Sequence, residues 1–129
     1  MQNLVSKKEE EERRLKALAE YRILGTKPES CYDDITKIAA TTCNVPISLM
    51  TLVDKDKQWF KSKIGLQISE TRRDWSFCTH AIKENSPLII HDAFQDERFI
   101  NNPLVTGDPK IRFYAGFPLR NSDGNKLGT

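Results

Sequence analysis

An α+β domain is predicted by three features of the 129-residue sequence. Helix-type patterning fills its first third, with no Gly or Pro before Gly25 and a second periodic run that reaches Cys43. Short apolar runs separated by turn-forming residues follow, the first two joined across Asp54-Lys55-Asp56-Lys57. Asp123-Gly124 then marks a hairpin close to the last residue, because such a turn needs positive backbone angles that Gly supplies. The length fits one domain and excludes a two-domain enzyme. At 38% hydrophobic and 29% charged residues the chain can bury a single core, and is neither fibrous nor wholly disordered. A net charge of +2 is too weak a field to make nucleic acid or an anionic membrane the main partner, so binding has to come from a site.

The first helix carries Lys7-Lys8-Glu9-Glu10-Glu11-Glu12-Arg13-Arg14, with opposite charges three and four residues apart. Leu15, Leu18 and Ala19 with Tyr21 form its apolar stripe. It is expected to fray at its start, to pack by its last turns and to stop at Gly25. Residues 1–13 are therefore set apart as a charged helical extension, and 14–129 as the domain. Thr26-Lys27-Pro28-Glu29 suggests a capping box with Pro in the first turn of a second helix, whose core face would be Tyr32, Ile35, Ile38, Ala39 and Thr42.

Pro46 opens Ile47 to Val53, apolar nearly throughout and so expected as a strand covered on both faces. A four-residue loop returns it as Gln58-Trp59-Phe60-Lys61-Ser62. Residues 65–75 are polar and predicted as loop; Ser76 caps a short helix through Phe77, His80, Ala81 and Ile82. Pro87 starts the strand Leu88-Ile89-Ile90-His91. Loop and one helical turn near Phe99 follow. Residues 111–119 alternate, placing Ile111, Phe113, Ala115, Phe117 and Leu119 on a core face and Arg112, Tyr114 and Arg120 on a wetter one. Lys126-Leu127-Gly128-Thr129 begins a return strand. With so little chain after the turn, the 111–119 strand is expected to lack a neighbour, and the protein to pair edge to edge with a second copy or to be marginally stable.

Four runs resemble the GAF domain: Trp59-Phe60-Lys61-Ser62 with Gly65-Leu66; Arg73 to Ile82, containing Ser76-Phe77-Cys78-Thr79-His80-Ala81; Asp92-Ala93 with Asp96-Glu97-Arg98-Phe99 and Asn102-Pro103-Leu104-Val105; and Arg112-Phe113-Tyr114-Ala115-Gly116 with Pro118-Leu119. They resemble in particular the GAF domains at the start of bacterial sensor histidine kinases and diguanylate cyclases. The resemblance implies a central antiparallel sheet, helices on one face and a loop-roofed ligand pocket on the other. It also implies a sensory rather than catalytic role, with the output kinase or cyclase domain in a parent protein. In that family the chain continues past Thr129 as a strand and a helix, so residues 14–129 read as a GAF domain lacking both.

Cys78 and His80 open the short helix, where the dipole and an imidazolium would favour a thiolate. The plainer alternative is a buried small apolar side chain beside a hydrogen-bonded histidine. Bilin attachment in this family places His directly after the attaching Cys, and Thr79 intervenes here. Cys78, His80, His91 and an Asp lack the paired spacing of a metal site. Bilin, haem and metal are therefore not expected, and the identity of the ligand stays open. A reductase of the GAF-type methionine sulfoxide class would need Cys31 or Cys43 as resolving thiol, yet both lie in the second helix. Three cysteines without CxxC pairing suit a reduced, cytoplasmic protein. Arg73 and Arg98 could recognise an anionic group or order the loops against Asp92 and Asp96. Trp75 and Tyr114 are expected to line the pocket. The expected ligand site is thus Arg73, Trp75, Phe77, Cys78, His80, Asp92, Arg98 and Tyr114, with no catalytic residue, in a homodimeric sensor that binds a small molecule or a partner and passes on a conformational change. The alternatives are a cysteine-dependent redox enzyme and a purely structural dimerisation module.

Overall fold

The computed structural model describes residues 6–129. Five strands form an antiparallel sheet in the order β3-β2-β1-β7-β6: β1 (Ser48–Val53), β2 (Lys57–Ile64), β3 (Glu70–Arg72), β6 (Leu119–Arg120) and β7 (Lys126–Gly128). A separate two-stranded ribbon pairs β4 (Leu88–Ile90) with β5 (Tyr114–Gly116). Helices α1 (Lys7–Glu20) and α2 (Ser30–Cys43) cover one face of the sheet; the short α3 (Phe77–Ala81) lies against the other, with the ribbon and α4 (Pro103–Thr106) packed around it. The protein is thus α+β, an antiparallel sheet between helices.

Alternation along β1 divides the core. Leu52 packs with Ala17, Leu18 and Leu127 beneath α1, while Val53 points the opposite way, to Cys78 and Ile82. A third cluster, Phe77, Ala81, Leu88, Ile90, Ala93, Phe99 and Val105, fills the space between α3, the ribbon and α4.

Several local expectations are corrected. The first helix starts on a complete capping box, Ser6 Oγ accepting from Glu9 N and Glu9 returning a carboxylate to Ser6 N, so the described part of its start is fixed. It ends at Glu20, before Gly25, with Ala19 and Tyr21 exposed and Arg14 buried in their place. The second helix begins at Ser30 with no side-chain cap; Thr26 instead donates to the Ile23 carbonyl, and Pro28 precedes the helix. Its buried residue is Thr36, while Ile35 and Ile38 are 56% and 64% exposed. The reason is polar: Asp33 accepts from Ser62 of β2 and Ser48 donates to the Thr36 carbonyl, which turns the 33/36 side of the helix to the sheet.

The β1-β2 loop has three residues, and residues 65–75 contain β3, paired to β2. In the 111–119 segment the expected faces hold only in part: Ile111 packs on the core and Arg112 and Arg120 are exposed as expected, but the middle of the strand is turned over. Phe113 and Phe117 are exposed, whereas Gly116 is buried and Tyr114 nearly so. A Cβ at Gly116 would overlap the Tyr114 phenol, so this strand turns its small residue inward to seat the ring. The strand does not lack a neighbour either: Tyr114–Gly116 pairs with β4 and Leu119 with Gly128.

Strand β7 lies inside the sheet, with Leu52 opposite Gly128 and reciprocal backbone bonds joining Thr51 and Thr129 at 2.7 and 3.1 Å. A Cβ on Gly128 would collide with the Thr51 carbonyl oxygen. Gly128→Ala is therefore expected to push β7 off β1 and to cost about 2–3 kcal/mol of stability, measured by urea unfolding. An unchanged midpoint would show that β7 tolerates a looser seat.

Candidate functional site

The expected site residues fall into two groups. One group is Phe77, Cys78, Tyr114 and His80. Ser76 caps α3 by accepting from Thr79 N at 3.3 Å, and the Thr79 hydroxyl donates to the Arg73 carbonyl, so the start of the helix is tied to the preceding 3-10 turn (Arg73–Trp75). This sets Phe77 between two rings, stacked on Phe99 at 4.2 Å and on Tyr114 at 5.0 Å. Cys78 is buried between Val53 and Ile82, and its sulfur accepts from the Thr129 hydroxyl at 2.8 Å and the Tyr114 hydroxyl at 3.4 Å. Burial, and after it the neighbouring Cys78, raises the Tyr114 phenol far above its ordinary value, so it stays a neutral donor. His80 lies edge-on to Phe99 at 4.9 Å; burial first, then Lys83 and Arg98, lowers its pKa and keeps the imidazole neutral at pH 7. Tyr114 joins the two clusters, its ring stacked on Phe77 and its hydroxyl donating to the Cys78 sulfur.

The second group is dispersed. Arg98 forms a paired bond with Asp96 at 3.0 and 2.8 Å on the surface, as the loop-ordering alternative expects. Arg73 does not meet Asp92. It turns to Glu11 of α1 and to the Asp54 and Lys55 carbonyls. Asp92 accepts from Phe94 N and caps a turn. Trp75 lies under the Arg72 guanidinium at 5.4 Å, and its carbonyl accepts from Asn102. Among the described residues no group of three or more side chains is placed to hold a metal ion.

Three features were absent from the sequence reading. Glu11 accepts both Arg14 and Arg73, and that pairing, Arg14 foremost, lowers its carboxyl pKa to about 2. Lys61, buried in the middle of β2, gives its ammonium to Glu29, Thr26 Oγ1 and the Lys27 carbonyl, each at 2.7 Å, which accounts for all three of its donors. A lysine between Phe60 and Ser62 in a strand marks an unusual position, but its partners, more than thirty residues away, leave no local trace. A cleft of about 530 Å³ opens beside it, lined by Thr26, Asp33, Trp59, Ser62, Lys63 and Ser69. It lies against α2 and β2, and none of the eight expected site residues borders it.

The GAF domain family model matches residues 27–129. The chain belongs to the GAF domain family. This GAF domain is 37% identical over 121 residues to a cyclic di-GMP phosphodiesterase of Pseudomonas aeruginosa, covering 94% of the chain but 21% of the relative. The chain thus spans about a fifth of the length of that curated relative. Its fold is similar to that of the type II free methionine-R-sulfoxide reductase of Thermoplasma acidophilum, with a TM-score of 0.61, 13% identity, and coverage of 86% of this chain and 72% of that one. It is also similar to the nlh2 GAF domain of A. aeolicus in an inactive state, with a TM-score of 0.58, 12% identity, and coverage of 94% and 77%. The resemblance read from the four motifs and the α+β architecture both hold.

The thiols distinguish a packed core from a reactive site. Cys31 and Cys43 are exposed on α2 and Cys78 is buried. An aromatic disulfide reagent is expected to modify Cys31 and Cys43 at once and Cys78 only on unfolding. Cys78→Ser should cost about 1 kcal/mol, because a hydroxyl can still accept from Thr129 and Tyr114. Rapid labelling of Cys78 in the folded protein would refute this.

Proposed function

We propose that this GAF domain is the regulatory segment of a bacterial, cytoplasmic signalling protein whose output domain makes or breaks a cyclic dinucleotide, and that it performs no catalysis itself. The observation that carries the reading is the proportion of the match: 94% of this chain aligns with only 21% of a phosphodiesterase. A shared fifth of an enzyme is the size of an accessory module. This narrows the parent proteins suggested by the motifs from kinases and cyclases to cyclic-dinucleotide enzymes. The surroundings of Cys78 support the reading as well, since a nucleophile needs access and this sulfur is enclosed by Val53, Ile82 and two hydroxyls. Among the described residues no helix is long and apolar enough to cross a membrane.

The route of regulation follows from the Glu11 contacts. Helix α1 is bound through Glu11 to Arg73, and Arg73 leads directly into α3 and the Phe77/Cys78/Tyr114 core. A shift of α1 therefore pulls on the segment that holds the core, and a change in the core pushes on α1. A ligand would be a small molecule that displaces part of the aromatic packing, and the signalling unit would be a homodimer. A second reading rests on the packing itself: Phe77 stacked between Phe99 and Tyr114 fills the expected pocket with side chains, which favours a structural dimerisation module.

Deleting this segment from the parent protein, or introducing Glu11→Gln, is expected to change the rate of cyclic di-GMP turnover by the intact enzyme. The isolated chain should neither hydrolyse cyclic di-GMP nor reduce methionine sulfoxide. Turnover of either by the isolated chain, or a parent enzyme indifferent to deletion of the segment, would overturn the proposal. If deletion alters only the oligomeric state, the structural reading is the one supported.

The same carboxylate sets a pH dependence. The folded-state pKa of Glu11 lies below the ordinary 4.5, so its stabilisation is present above about pH 4.5 and is lost as pH falls toward 2. Glu11→Gln leaves the buried Arg14 without its anion and is expected to cost on the order of 1–3 kcal/mol at pH 7. It should also flatten the loss of stability between pH 4.5 and 2, followed by thermal unfolding. A variant with the same acid limb as the parent chain would place the titration elsewhere.

A further inference from the structure

The cleft between α2 and β2 lies on the opposite face of the sheet from Phe77, Cys78 and Tyr114, and its position follows from the course of β2. The register against β1 passes from Met50↔Ser62 to Thr51↔Phe60, so Lys61 stands in a bulge, and β3 ends its pairing at Trp59↔Glu70. Beyond that point the outer edge of β2 has no further strand neighbour among the described residues, and the hollow of about 530 Å³ opens there. Three lysines border it, and their charges are met unequally. Lys61 is paired with Glu29. Lys63 spends its ammonium on the Gln67 and Ile68 carbonyls and the Ser69 hydroxyl, which are neutral, so its charge is fixed in place without being cancelled. Lys37 forms no ion pair with the described residues, although Asp33 precedes it by four residues, the spacing at which helix side chains meet. Asp33 takes the Ser62 hydroxyl instead. One positive charge is left over once Glu29 and Asp33 are set against the three lysines.

We propose that this cleft is a ligand site for a small monoanion built on a flat ring, an aromatic carboxylate with a hydrogen-bond donor at its far end. The inference goes beyond the regulatory reading, whose ligand would have to displace aromatic packing on the far face, because this hollow is open without any repacking and has the size of a small-molecule site. The excess charge selects the anion. A singly charged carboxylate cancels it, whereas a phosphate monoester, closer to two charges at pH 7, would exceed it. Lys37 is the direct partner of the carboxylate and Lys63 adds its charge; Lys61, whose three donors are taken, holds the strand to the α1–α2 connection. Asp33 keeps lone pairs beyond the one that accepts Ser62, and these receive the ligand's donor. Asp33 and Lys37 are ~6 Å apart along the helix axis, so an acid and a donor on opposite sides of one ring can meet both. Trp59 and Ile64 supply the apolar wall for the ring itself.

The probe is para-hydroxybenzoate, and the two tryptophans make its readout specific: Trp59 borders the cleft, while Trp75 lies in the turn that leads into α3. With fluorotryptophan incorporated, fluorine NMR of the 129-residue chain gives one resonance for each, assigned by Trp75→Phe. Titration should move the Trp59 resonance saturably and leave Trp75 in place, with a dissociation constant on the order of 1 mM for a ligand of about ten heavy atoms. Lys37→Glu should weaken binding roughly tenfold or more, and Lys37→Arg should retain it. Because Lys37 is exposed, neither variant should alter the thermal midpoint. Lys83→Glu, the same change of charge just beyond α3, should leave the affinity as it was. The neutral para-hydroxybenzyl alcohol should bind roughly tenfold more weakly than the acid. A Trp59 resonance that does not move, a neutral analogue that binds as well as the acid, or a loss of affinity in Lys83→Glu equal to that in Lys37→Glu would overturn the inference. So would displacement of the probe by an equal concentration of inorganic phosphate, or movement of Trp75 alone. None of these readouts depends on turnover by the parent enzyme, so failure here is distinct from failure of the regulatory reading.

Discussion

The structure depends on a buried guanidinium. Arg14 is 6% exposed and donates to the Val53 carbonyl at 2.6 Å, to the Lys126 carbonyl at 3.5 Å, and through its other nitrogens to both oxygens of Glu11. A cation this enclosed is tolerable only with its anion and its hydrogen bonds in place, since a lone buried charge would cost several kcal/mol. Helix α1 offers the sheet little apolar surface, its fully buried apolar residues being Ala17 and Leu18, so hydrophobic burial alone would hold it loosely. Its position is set instead by polar geometry: Arg14 must reach the end of β1 and the start of β7 together. Because Glu11 is shared with Arg73, the same geometry holds the turn that leads to α3.

This explains which parts of the fold were legible in the sequence. Local signals were sufficient wherever an element is determined by its own residues: Ser76 capping α3, the hairpin from Ser48 to Ile64, the turn at Asp123-Gly124. They misled wherever an apolar pattern had to be assigned a direction. The stripe Ile35, Ile38, Ala39 and Thr42 is real, yet periodicity shows that one side of a helix is apolar without saying what lies against that side. Here Asp33, Thr36 and their bonds to β2 and Ser48 decided the orientation, and a polar face met the sheet. In residues 111–119 the two exposed phenylalanines outweighed Gly116 in the reading, although the absence of a side chain at 116 is what admits the Tyr114 ring. Strand β3 was missed because Glu70-Thr71-Arg72 is polar, a composition natural to a short strand at the edge of a sheet.

The candidate site divides along the same line. Phe77, Cys78 and Tyr114 were legible because two short motifs carry them and the ribbon brings those motifs together. Thr129, Glu11 and Lys61 were not. Each acts across a long sequence separation, Thr129 on Cys78, Glu11 on Arg73 and Lys61 on Glu29, and no local composition marks such a pairing. Charged residues in a helix rich in Lys and Glu look like a solvated face, and Glu11 differs from its neighbours Glu10 and Glu12 only in what the fold places beside it.

The two sides of the sheet are consequently not independent bodies. Consecutive residues of β1 serve opposite cores: Leu52 under α1, Val53 against Cys78. The carbonyl of that same Val53 accepts the Arg14 guanidinium. On β7 the order is similar, Leu127 packing toward α1 while Thr129 bonds to both Thr51 and Cys78. Close-packed protein interiors transmit strain. Two strands therefore carry both cores, and Glu11 adds a third link outside the sheet, through Arg73. Val53, which packs on Cys78, and Arg73, whose carbonyl holds Thr79 of α3, are each bonded directly to α1, through Arg14 and Glu11. The helix that looks least anchored by its apolar content is thereby tied by polar bonds to β1, to β7 and to the turn that leads into α3.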